Sequence, residues 1–85
     1  MRHPSTAIGF EWDENNEWKL EQRGIYAEDV EHVFDNEPSF LKNKRSGAAR
    51  WPMDGRDAAG RRLRICILWG DEDVGTLRAI TGWKL

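Results

Sequence analysis

The chain has 85 residues, a net charge of -2, 39% hydrophobic and 33% charged residues, and a single cysteine, Cys66. That length allows one domain, 1–85, with a modest core, while one cysteine excludes an internal disulfide and a multi-cysteine zinc site. No apolar run approaches the roughly 20 residues of a membrane span, and the opening MRHPSTAIG lacks the apolar stretch of a signal peptide, so a cytoplasmic protein with no membrane contact is expected.

Residues 1–9 read as a loose N-terminus that includes His3. Ala7 to Trp12 alternates, with Ile8, Phe10 and Trp12 on one side, and predicts a first strand. Asp13 is placed to cap a helix whose first turn holds Glu14 and Glu17. Arg23 followed by Gly24 is a stop signal for it. A second helix is predicted from about Ala27 to Phe34, its apolar stripe formed by Ile25, Val30, Val33 and Phe34. Glu28, Asp29, Glu31 and Asp35 are assigned to the solvent face, and Pro38 ends the helix.

The remainder reads as strands. Ser39–Lys42 is a weak candidate. Ala48–Asp54 places Ala49, Trp51 and Met53 on one face, and Pro52, which has no N–H, predicts an edge position or a bulge. A turn at Asp57–Gly60 leads to the clearest strand, Arg62–Trp69, where Leu63, Ile65 and Ile67 alternate with Arg62, Arg64, Cys66 and Leu68. Gly70–Asp73 is a second turn. Gly75–Gly82 is a last strand, with Thr76, Arg78 and Ile80 opposing Leu77, Ala79 and Thr81. The order predicts an α+β domain: an N-terminal strand and two helices packed on a small, largely antiparallel sheet.

Charge is sorted along this order. Residues 1–40 carry ten carboxylates and three bases, and residues 41–85 carry ten bases and five carboxylates. The helical half is acidic and the sheet half basic, which suits the sheet half to a polyanion. If the last two strands form a hairpin, Arg64 and Arg78 come close on the sheet face. Like charges opposed across strands are unfavourable, so such a cluster calls for an anion, either a carboxylate from the helices or a phosphate from outside.

Other features have simpler readings. Cys66 in an apolar strand is a buried, inert thiol. Asp71-Glu72-Asp73 is a solvated turn before it is a cation site. Gly55 and Gly60 lack Walker spacing. Trp51 and Trp69 are assigned to the core. Trp83 is balanced between core and base stacking. The run Lys42-Asn43-Lys44-Arg45-Ser46-Gly47 is a solvated loop able to guide a phosphate.

Several stretches, taken together and in order, resemble the BrnT family of toxins from bacterial type II toxin–antitoxin systems. They are Phe10-Glu11-Trp12-Asp13-Glu14-Asn15, Arg23-Gly24-Ile25, Val33-Phe34-Asp35, Arg50-Trp51, Gly55-Arg56, Gly60-Arg61 and Arg78-Ala79-Ile80-Thr81. The resemblance spans Phe10 to about Trp83. It implies a RelE-like fold and a metal-independent ribonuclease that inhibits translation. It also implies RNA as substrate, a cognate antitoxin protein as partner, assembly as a dimer or a toxin–antitoxin hetero-oligomer, and no metal or other cofactor. Arg50, Arg56, Arg61 and Arg78 match the family's basic positions. On this reading Arg50, Arg61 and Arg78 hold the phosphate, with Lys84 as a candidate acid or base. Lys42, Lys44, Arg45, Arg56, Arg64 and Trp83 form the wider RNA-binding approach. The chain departs from the family at Gln22-Arg23, where Lys-His is common, and at Trp83, where an arginine is usual.

Metal-free RNA cleavage needs a base for the 2′-hydroxyl, an acid for the leaving oxygen and cations for the charged phosphorane. Arginines serve the last need but are poor bases. Lys84 qualifies if desolvated. His32 carries the side chain suited to proton exchange near neutrality, but its neighbours Glu28, Asp29 and Glu31 make it read as an exposed residue of an acidic helix. The alternative expectation is therefore a catalytically silent RNA- or protein-binding module with the same fold. A weaker third reading is a small interaction domain whose basic face receives an acidic partner segment.

Overall fold

Asp13 begins the first helix as its position predicts. Its carboxylate accepts from the Asn16 N–H at 2.9 Å, and the Asn16 side chain accepts from the Asp13 N–H at 2.8 Å. In the computed structural model, which describes residues 2–41 and 50–85, a single 3-10 turn (Pro4–Thr6) precedes strand β1 (Gly9–Phe10) and helices α1 (Glu14–Glu21) and α2 (Ala27–Asp35). Strands β2 (Ser39–Phe40), β3 (Trp51–Arg56), β4 (Arg62–Asp71) and β5 (Thr76–Lys84) follow. Gly24, at φ +72°, takes the left-handed conformation that ends α1, and Ile25 N–H closes the cap on Leu20 O.

The sheet order is β1-β5-β4-β3-β2, antiparallel throughout except for the parallel β1–β5 pair. Two helices on one face of this mixed sheet make the α+β architecture expected from the pattern. The core lies between those layers. Leu20, Ile25, Val30 and Val33 meet Met53 of β3, Leu63, Ile65 and Ile67 of β4, and Leu77 and Ala79 of β5, all essentially without solvent exposure. Gly55 allows α2 to lie close to β3, since a Cβ there would stand 2.8 Å from Val33 Cγ1.

Four local expectations are corrected. The first strand is shorter than Ala7–Trp12, because pairing ends once Glu11 N–H has reached Leu77 O and the chain turns into the Asp13 cap. Ile8, expected beside Phe10 and Trp12, is 76% exposed. The start of the chain is packed rather than loose. Pro4 is buried, His3 sets its ring edge-on to Phe40 and Trp51, and Trp69 Nε1 donates to Arg2 O at 2.9 Å. Third, β3 is not at an edge despite Pro52. The Pro52 carbonyl accepts from Leu41 N–H, so its nitrogen also points toward β2, and the one return bond it cannot make, to Leu41, falls just past the end of that two-residue strand. Fourth, the alternation of β5 is interrupted by a register shift: Ala79 pairs with Ile67 but Thr81 pairs with Cys66, which leaves Ile80 as the extra residue. Thr81 therefore moves to the open face, and Gly82 takes the buried position.

Candidate functional site

The arginines of the basic half do not converge. Arg61, on the β3–β4 turn, donates from Nε to Asp57 at 2.6 Å, from one terminal nitrogen to Gly24 O at 3.1 Å, and from the other to Asp29 at 3.4 Å. It ties the turn to the α1–α2 junction. Asp57 is 5% exposed and also accepts the Ala59 and Arg61 N–H groups. Burial alone would raise its pKa, but the Arg61 side chain and these two N–H donors outweigh it and hold the carboxyl below its ordinary range.

Arg64 makes a bidentate pair with Asp54, its cross-strand partner, with both contacts at 2.7 Å. Arg78 contacts Asp13 at 2.5 Å and Glu11 at 3.6 Å. The Arg78 guanidinium is the main reason the Asp13 carboxyl lies below its usual range. Arg64 pairs with Trp83 and Arg78 with Leu68. The two arginines are thus four residues apart along β4, about 13 Å at the rise of a strand, and the expected close approach does not occur. Each has its own carboxylate, so the cost of opposed like charges is removed at source.

A cleft of about 610 Å³ opens where α2 passes over the ends of β3 and β4, and its walls include His32, Asn36, Ser39, Asp54, Arg56 and Arg62. Asp29, His32 and Asn36 follow one another at spacings of three and four residues, so they share a helix face beside the Val30/Val33 stripe. Asp29 is drawn to Arg61 rather than to solvent, and the same face carries half-buried His32 to the cleft. Asn36 Nδ2 donates to the His32 carbonyl at 2.7 Å. Of the acidic lining residues, Asp54 is neutralised by Arg64 and Asp57 by Arg61, leaving Glu37 against the guanidiniums of Arg56 and Arg62. Arg56 is steadied by donation to Gly60 O at 2.9 Å. Arg62 is exposed and makes no ion pair among the described residues. An imidazole and two guanidiniums lining one cleft are a combination that can move a proton and hold a phosphate. The sequence reading of His32 as an exposed residue is corrected to a half-buried one at the cleft wall; local acidity hid which helix face it occupies, and the Asp29/His32/Asn36 spacing was the available signal.

The other predicted residues are dispersed. Arg50 and Lys84 are exposed, and neither makes an ion pair among the described residues. Trp83, 37% exposed, flanks the Arg64–Asp54 pair through its register with Arg64. Lys42, Lys44 and Arg45 lie outside the described residues. Burial pushes the Cys66 thiol up, against the lowering effect of Arg50 and Arg64, which keeps it protonated. Asp71 accepts the Val74 N–H, and among the described residues no three His, Cys, Asp or Glu side chains gather as a metal site would require. Among the described residues no helix is long and apolar enough to cross a membrane. No family model, curated protein or solved structure matches the chain.

Proposed function

We propose that this domain is a metal-independent ribonuclease toxin that acts on RNA in the cytoplasm, inhibits translation and is held in check by an antitoxin protein. The observation that carries the reading is the cleft shared by His32, Arg56 and Arg62, which supplies the proton acceptor that the basic strands lack. The ordered resemblance to BrnT toxins and the segregation of acidic helices from a basic sheet support it. In this scheme the His32 imidazole, as general base, takes the proton of a 2′-hydroxyl, and the 2′-oxygen attacks the adjacent phosphorus. Arg56 and Arg62 stabilise the pentacoordinate dianion. The 5′-oxygen leaves with a proton from solvent, giving a 2′,3′-cyclic phosphate and a 5′-hydroxyl.

A second reading is favoured by one specific observation. Arg61, Arg64 and Arg78 are all engaged with carboxylates of the chain itself, as they would be in a binding module that keeps the fold without cleavage. The two readings separate in one assay. The purified protein, incubated with single-stranded RNA in excess EDTA, is expected to yield fragments ending in 2′,3′-cyclic phosphate, and its expression without a partner to arrest growth. RNA that is bound in a salt-dependent way but stays intact would establish the silent module instead.

A further inference from the structure

The acidic flank holds a feature that neither reading uses. Helix α1 buries Asn16 and Leu20, yet on its opposite side Trp18 is 61% exposed. Glu14, four residues before Trp18, and Glu21, three after it, lie on the same helix face, with Glu17 alongside. None of these three glutamates forms an ion pair among the described residues. The nearest base in sequence, Lys19, projects about 100° round the helix from Trp18. Glu14 and Glu17 suit the positive end of the helix, but Glu21 sits in its last turn, where an anion is disfavoured. Neither Trp18 nor Glu21 is explained by helix stability. Tyr26, 49% exposed at the start of α2, adds a second solvent-facing aromatic to the acidic half.

We infer that the outward face of α1 is a docking surface for an arginine-bearing segment of a partner protein, with a guanidinium stacked on Trp18 and paired with Glu14 and Glu21. Charge complementarity selects the occupant. Glu14, Glu17 and Glu21, none of them in an ion pair among the described residues, make this helix face repel a nucleic acid. In a second copy of this chain Arg61, Arg64 and Arg78 are already paired within their own molecule, and self-association through its unpaired Arg50 or Arg62 is an outcome that the test separates. Arginine is preferred to lysine because its planar cation both stacks on an indole and bonds carboxylates two at a time. The surface is separate from the cleft, so the inference stands whether or not the domain cleaves RNA.

The test is calorimetric titration of the full chain with three synthetic 12-residue peptides, alternating Arg-Ser, Lys-Ser and Glu-Ser. Binding of the Arg-Ser peptide is expected, with Lys-Ser weaker and Glu-Ser silent. Trp18→Ala should weaken Arg-Ser binding about fivefold or more, and Glu21→Gln about twofold to threefold. Both side chains point away from the core, so the far-ultraviolet circular dichroism of the variants should match the parent. The inference is overturned if Trp18→Ala binds Arg-Ser as well as the parent does, if Arg-Ser and Lys-Ser bind equally, if the parent binds neither, or if Trp18→Ala instead abolishes self-association of the chain.

Discussion

Asp57→Ala is expected to lower the unfolding free energy by about 3 kcal/mol, the scale for removing a buried carboxylate that accepts one charged and two backbone hydrogen bonds. The carboxylate is 5% exposed and accepts three hydrogen bonds, two from backbone N–H groups of its own turn and one from Arg61. Its loss frees the turn and leaves Arg61 bridging Gly24 O and Asp29 alone. For a chain of this size the melting temperature should fall by about 12–24 °C. The effect should also depend on pH. The folded-state pKa of Asp57 is depressed, so the stabilisation is complete above the unfolded carboxylate value near 4 and is lost as pH falls through the folded value. Urea unfolding of parent and variant between about pH 7 and pH 3 should show the gap between them narrowing toward the acid end. A gap that stays constant would mean that the Asp57 charge contributes nothing.

His32→Ala is expected to reduce metal-free RNA cleavage by about 100-fold or more, the usual contribution of a positioned general base, while changing stability by less than about 1 kcal/mol. The side chain is half-buried at the cleft wall and lies outside the apolar core, so the fold does not depend on it. The paired measurement is the single-turnover cleavage rate together with the urea midpoint. A variant that cleaves like the parent would remove His32 from the chemistry. One that loses activity only because it unfolds would show it in the midpoint.

Much of the framework is legible in the sequence. Asp13 as cap, Gly24 as stop, the Val30/Val33 stripe and the Leu63/Ile65/Ile67 alternation are local signals, and local physics decides them. What depended on register was not legible. The separation of Arg64 from Arg78 is set by the β4–β5 pairing and the extra residue at Ile80. The tolerance of Pro52 inside the sheet is set by how soon β2 ends. The site was the least legible part, because sequence alone leaves open whether a carboxylate of the chain or a phosphate from outside meets the arginines. Asp54 lies directly across from Arg64, and Glu11 and Asp13 come from the acidic half to meet Arg78. The charge split along the chain is therefore partly closed by folding. What remains open to an anion at the cleft is the smaller set of Arg56 and Arg62, in a lining shared with a histidine from the acidic side.

That placement of the phosphate is the central claim, and chemical-shift mapping tests it directly. The ¹⁵N-labelled protein would be titrated with a short 2′-O-methyl RNA, which lacks the nucleophile and stays intact. The largest shifts are expected at His32, Asn36, Arg56 and Arg62, with Arg64 and Arg78 little changed. Shifts centred on Arg64 and Arg78, with the cleft residues unmoved, would contradict the account.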